Sequence, residues 1–114
     1  MIAVIFELEP RSGLTQSYFD LANELTASLM GLDGFISIER FESVKQPGRF
    51  LSLSFWQDEQ SVQRWRNHHG HRMAQHQGRS RILSDYRLRI AHVIRDYGLS
   101  NREQAPPDSV SALG

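Results

Sequence analysis

The sequence predicts an α+β domain of ferredoxin-like βαββαβ order, a four-stranded antiparallel sheet with both helices on one face. Three observations carry this reading. Four segments are rich in β-branched and aromatic residues and alternate in polarity; two stretches between them repeat apolar residues every three or four positions; and a four-residue link joins the second and third strand segments. A link that short makes an antiparallel hairpin almost the only connection available.

Ile2-Ala3-Val4-Ile5-Phe6-Glu7-Leu8-Glu9 is β-branched and aromatic, alternates towards its end and stops at Pro10, as a central strand would. Pro10 to Gly13 is a turn. From Leu14 the residues Leu14, Tyr18, Leu21, Ala22, Leu25 and Leu29 fall on one helical face, with Ser12 as the expected cap and Gly31 as the stop. Gly31-Leu32-Asp33-Gly34 then leads into a second strand, Phe35 to Ser43, and Lys45-Gln46-Pro47-Gly48 turns the chain into a third, Arg49 to Trp56. Asp58 caps a helix that runs to about Asn67; Gly70 interrupts it, and Arg72 to Leu83 continues helically. Tyr86 to Arg95 alternates as a fourth strand. Residues 1–98 form the expected domain, and 99–114, with Pro106-Pro107 and several serines, are expected to be a flexible tail without apolar periodicity.

The 114 residues suffice for one hydrophobic core. No cysteine is present, which excludes disulfides, thiolate zinc sites, iron–sulfur clusters and cysteine nucleophiles. Thirteen basic and thirteen acidic residues cancel, and this argues against nucleic acid as a partner. The charges are nevertheless segregated: residues 1–60 hold four basic and nine acidic side chains, and residues 61–114 hold nine and four. No apolar run approaches the roughly 20 residues that cross a bilayer, so no membrane partner is expected and a cytoplasmic location is. Both alternating sets of the strands are partly apolar, Ile2, Val4 and Phe6 on one side, Ala3 and Ile5 on the other, so the sheet needs cover on both faces. A homodimer packed sheet to sheet would supply it.

The densest cluster of candidate chemistry is Trp65-Arg66-Asn67-His68-His69-Gly70-His71-Arg72-Met73-Ala74-Gln75-His76, which gathers four of the five histidines. If it were one helix, Trp65, His69, Arg72 and His76 would share a face. A metal site would want a neighbouring carboxylate, and none is adjacent in sequence. A haem ligand or general acid–base needs just one histidine directed into an apolar pocket. The third reading is that the histidines are solvated or cap helix ends. Trp65, set in a polar run, must face the core or a pocket. Phosphate loops, dinucleotide fingerprints and nucleophile elbows are absent.

Taken together, Gly34-Phe35-Ile36-Ser37-Ile38-Glu39-Arg40-Phe41, the strand end Ser54-Phe55-Trp56, Ser61-Val62-Gln63-Arg64-Trp65, His71 with Ala74-Gln75, and Tyr86-Arg87-Leu88-Arg89-Ile90-Ala91 resemble the antibiotic biosynthesis monooxygenase (ABM) family over about residues 1–98. The resemblance implies a dimeric α+β barrel with an apolar pocket between sheet and helices in each subunit. It implies a monooxygenase acting without cofactor on a small aromatic or quinone-like substrate that itself supplies the electrons. Trp65 and Phe6 would then line the pocket, His71 or His76 would act as base, and Arg72 or Arg89 would be a counter-charge. Haem-degrading relatives suggest an alternative, in which Trp65 matches the family tryptophan and His76, or else His71, the iron ligand. Their first-strand asparagine has no counterpart in Val4-Ile5-Phe6-Glu7-Leu8. A non-catalytic small-molecule-binding dimer is the third alternative.

Overall fold

A computed structural model describes residues 1–68, 72–73, 75–76 and 81–114. Its elements are β1 (Ile2–Pro10), α1 (Thr15–Leu29), β2 (Phe35–Glu42), β3 (Phe50–Trp56), α2 (Glu59–Arg66), β4 (Leu83–His92) and α3 (Pro107–Leu113). The sheet has the order β2-β3-β1-β4 with antiparallel neighbours throughout, which is the ferredoxin-like arrangement. The β-rich runs became strands because alternate residues bury one face against the helices.

The core forms two clusters on that face. Ile2 and Val4 of β1, Trp56 of β3, Leu29 of α1 and Val62 of α2 make the first. Leu8, Phe50 and Leu83 meet Tyr18 and Ala22 of α1 in the second. Between them the inward face of β3 reads Phe50, Ser52, Ser54, Trp56, large residues at the ends and small ones in the middle. The two serines leave room there, and this is where the cavity lies.

Local boundaries differ from the sequence expectation in ways that tertiary pairing explains. The fourth strand begins at Leu83 and ends at His92, three residues earlier than its own alternation suggests. Its limits are those of β1: Pro10 pairs with Leu83 and Ile2 with His92, and beyond Ile2 just one further bond follows, from Val93 N–H to the Met1 carbonyl at 3.0 Å. The helix predicted to run to Leu83 therefore cannot do so. α1 starts after Leu14, with no side-chain cap, rather than after Ser12. α2 is capped as expected, the Asp58 carboxylate accepting from the Ser61 backbone N–H at 2.8 Å. The segment after residue 98 carries a regular element that its composition did not suggest. Pro107 opens α3 at a position where its missing N–H has no helical partner to lose, and Arg102 ties the helix end by donating to the Gly114 carbonyl at 2.6 Å.

The face of the sheet opposite the helices carries half-buried Ile5, Leu51, Leu53 and Phe55. Beside them Arg49 bridges Glu7 and Glu9, each at 2.9 Å, and Arg89 reaches Glu7 at 3.1 Å. The Arg49 hydrogen bond, then the charges of Arg89 and Arg49, hold the Glu7 carboxyl below its ordinary 4.5. Among the described residues no helix is long and apolar enough to cross a membrane.

Candidate functional site

An apolar cavity of about 340 Å³ lies between the sheet and helices α1 and α2. Its floor is Val4, Phe6, Ser52 and Ser54, and α1 supplies Tyr18, Leu21 and Leu25. Trp65 of α2 closes one side, while Tyr86, Leu88 and Ile90 of the edge strand β4 form the other. That volume falls within the range of small-molecule sites.

Two features give the cavity its rigidity and polarity. The first is a tryptophan pair: Trp56, fully buried, donates from Nε1 to Ser54 Oγ at 3.0 Å, and its ring lies 5.1 Å from that of Trp65 at an interplanar angle of 30°. Locking Trp56 by this bond fixes the surface on which Trp65 rests. The second is a polar cluster at the α1–β2 side. Arg40 donates from Nη2 to the Ala22 carbonyl at 3.0 Å and to Thr26 Oγ1 at 2.8 Å. Burial pushes the Tyr18 phenol above its ordinary 10.0, an effect opposed by the charge of Arg40 and by a hydrogen bond from it. Tyr18 therefore remains a neutral hydroxyl at neutral pH, able to donate.

Arg40 owes its inward direction to a bulge. Phe35 pairs with Trp56, but the register shifts between Phe35 and Ser37, after which Ile38 opposes Ser54 and Arg40 opposes Ser52. Phe35, Ile38 and Arg40 thus share the cavity face, and Phe41 is turned out, 43% exposed. Arg66 at the end of α2 also reaches the cavity and is exposed.

The residues singled out from sequence are placed as follows. Trp65 and Phe6 both line the cavity, Phe6 packing edge-on against Tyr86 at 5.7 Å. Arg72 does not: it is exposed and donates to Asn67 Oδ1 at 2.6 Å and Gln75 Oε1 at 3.0 Å, because polar neighbours on its own segment capture it. Arg89 also fails to reach the cavity, since its place opposite Ile5 puts it on the far face of the sheet with Glu7. His76 is exposed and off the cavity wall. His71 lies outside the described residues. Among the described lining residues there is neither an imidazole nor a carboxylate. Sequence reasoning passed over Tyr18, Arg40, Ser52 and Ser54. The available signal was the pair of serines on an otherwise large, apolar face of the third strand.

A family model for antibiotic biosynthesis monooxygenases matches residues 1–77. This chain belongs to the antibiotic biosynthesis monooxygenase family. The ABM match runs from β1 past α2, and so takes in Phe6, Tyr18, Arg40 and Trp65 but not the β4 wall of the cavity. A jasmonate monooxygenase of Pyricularia oryzae is 46% identical over 93 residues, 82% of this chain, and this chain spans 43% of that relative's length. The protein YqjZ of Bacillus subtilis is 31% identical over 94 residues, 82% of this chain and 79% of YqjZ. Among solved structures, Rv0793 of Mycobacterium tuberculosis superposes with a TM-score of 0.77 at 15% identity, covering 85% of this ABM chain and 98% of Rv0793. That similarity speaks for the fold alone.

Proposed function

We propose that this ABM chain is a monooxygenase that oxidises a small aromatic or quinone-like molecule without a bound cofactor, inside the cavity walled by Trp65. The observation that carries the reading is the cavity itself, apolar on most sides, with a neutral phenol and a guanidinium gathered at one part of its wall. An activated CH₂ compound of the anthrone kind loses a proton to give an extended enolate. The enolate passes electrons to O₂, a peroxide forms on carbon, and loss of water leaves the ketone. The balance is CH₂ + O₂ → C=O + H₂O, four electrons leaving carbon and four entering oxygen. The chain's part is to orient the flat ring on Trp65 and to favour the enolate over its neutral form. The named activity of the Pyricularia oryzae relative on jasmonate supports a small, mostly apolar substrate.

The described residues do not fit haem. No histidine among them lines the cavity, and β1 offers Val4 and Phe6 where haem-degrading relatives have asparagine. No step is assigned to it.

The test is oxygen uptake with an anthrone and with a dihydroxynaphthalene, products followed by mass using ¹⁸O₂. One labelled oxygen per product is expected, and Trp65→Ala is expected to lower the rate by about 100-fold through loss of orientation. Trp65→Phe, which keeps an aromatic wall, should retain more of it. Haemin titration of the same preparation should leave the Soret band of free haemin unshifted. Ligand binding without uptake would leave the non-catalytic binding module.

A sheet-to-sheet homodimer belongs to this proposal. Ile5, Leu51, Leu53 and Phe55 are half-buried on the uncovered sheet face and would be covered by the same face of a second copy. Sedimentation equilibrium is expected to return twice the 13.1 kDa chain mass. Leu53→Glu, placing a charge in the middle of that face, should return the monomer.

A further inference from the structure

The cavity has a sign. Two guanidinium groups, Arg40 and Arg66, contribute to its wall, and no carboxylate does among the described residues. Arg66 is exposed and hydrated, whereas Arg40 is half-buried and has no ion-pair partner among the described residues. A guanidinium carries five N–H donors. The Nη2 pair is spent on the Ala22 carbonyl and Thr26 Oγ1, a further bond goes to the Tyr18 hydroxyl, and Nε is buried with no hydrogen-bond partner. A charged group held at the edge of an apolar space without a counter-charge is costly to bury, and an anionic oxygen placed against the guanidinium would offset that cost. Bracing β2 against α1 takes hydrogen bonds to Ala22, Thr26 and Tyr18, which need donors and not a charge. It gives no reason for the positive charge.

We propose that Arg40 is the specificity-determining residue of the cavity. It selects ligands that carry one anionic oxygen group, a carboxylate or a stabilised enolate, on an otherwise apolar frame. Tyr18 serves as the second donor: its hydroxyl is neutral, belongs to the same cluster and lines the same cavity. Charge-assisted bonds from guanidinium and phenol to one oxygen group would set the ligand's orientation, leaving its apolar end against Phe6, Trp65 and the β4 wall. This rests on the cavity being the substrate site, and it explains how a wall without an imidazole or carboxylate among its described residues favours an enolate. The positive charge lowers the substrate's own pKa, and the proton leaves to water.

The experiment compares three probes of one shape, 2-naphthoate, its methyl ester and 2-naphthalenemethanol, titrated against the full chain by quenching of tryptophan fluorescence. Wild type is expected to bind the carboxylate at least about tenfold more tightly than either neutral probe, the size of one charge-assisted hydrogen bond. Arg40→Gln should abolish that ratio while leaving affinity for the ester within about twofold, which a purely structural role would not do. Arg40→Lys should keep part of the ratio, and Arg66→Gln nearly all of it. Equal binding of all three probes by wild type overturns the proposal and leaves the cavity reading standing, and so does a ratio that survives in Arg40→Gln. Failure of every probe to bind overturns both. Should Arg40→Gln not fold, the wild-type ratio and Arg40→Lys decide. Absence of oxygen uptake bears on the monooxygenase reading alone, since these affinities do not depend on turnover.

Discussion

Replacing Trp56 with alanine is expected to lower the unfolding free energy by about 4 kcal/mol, the cost of deleting a large aromatic side chain from a close-packed site. The residue is fully buried, stands edge-on to Phe35 at 5.2 Å and supports Trp65 at 5.1 Å. Its neighbours come from β1, α1 and α2, so the space cannot be closed by moving one side chain. Urea denaturation followed by far-ultraviolet circular dichroism measures the change. Trp56→Phe separates the contributions, because it keeps part of the ring and loses the bond to Ser54 Oγ; about 1–2 kcal/mol is expected. A loss below about 1 kcal/mol for alanine would mean the ring is not packed as described.

Gly34→Ala is expected to cost about 3 kcal/mol, combining a left-handed backbone that disfavours Cβ with a steric conflict. Gly34 has φ of +83°, and a Cβ there would fall on the Ser61 side chain. Ser61 cannot readily move. Its backbone N–H and its hydroxyl both donate to Asp58 Oδ1, at 2.8 and 2.7 Å, and these bonds, with Arg64 nearby, hold the Asp58 carboxyl below its ordinary 3.8. Gly34 in turn accepts from Gln57 N–H at 2.8 Å, so the turn before β2 and the cap of α2 are one unit. Gly31 provides the comparison: its φ is +86° with nothing within 4 Å, so Gly31→Ala should cost about 1 kcal/mol, the backbone part alone. Adding Ser61→Gly to Gly34→Ala removes the obstruction while keeping a backbone N–H for Asp58. It should recover about half of the loss, and no recovery would show that the conflict lies elsewhere.

Element order was legible because hydrophobic periodicity is local. Leu14 to Leu29 repeats at helical spacing and Ile2 to Glu9 does not, whatever surrounds them. Trp65 was legible as a ring that must face the core or a pocket, since a large ring in a polar run has few other places to go, whereas Phe6 entered as a lining residue through the family resemblance. The family likeness was visible at Gly34 to Phe41 and around Trp65. The arginines were not so readable. Twelve of them stand in the chain, and the family resemblance suggested Arg72 or Arg89 as the counter-charge.

Arg40 shows why. Strict alternation from Phe35 would place Ser37, Glu39 and Phe41 against the helices and Arg40 on the opposite side. One extra residue at the bulge before Ser37 reverses this, sending Phe41 outward and Arg40 to the cavity. The end of β4 follows the same logic, limited by where β1 runs out of partners rather than by its own residues. Periodicity along the chain thus sufficed for the order of the four strands and of α1 and α2, because each depends on neighbours a few residues away. Which cation meets the cavity was decided across the sheet, where a one-residue change in register moves a side chain from one face to the other.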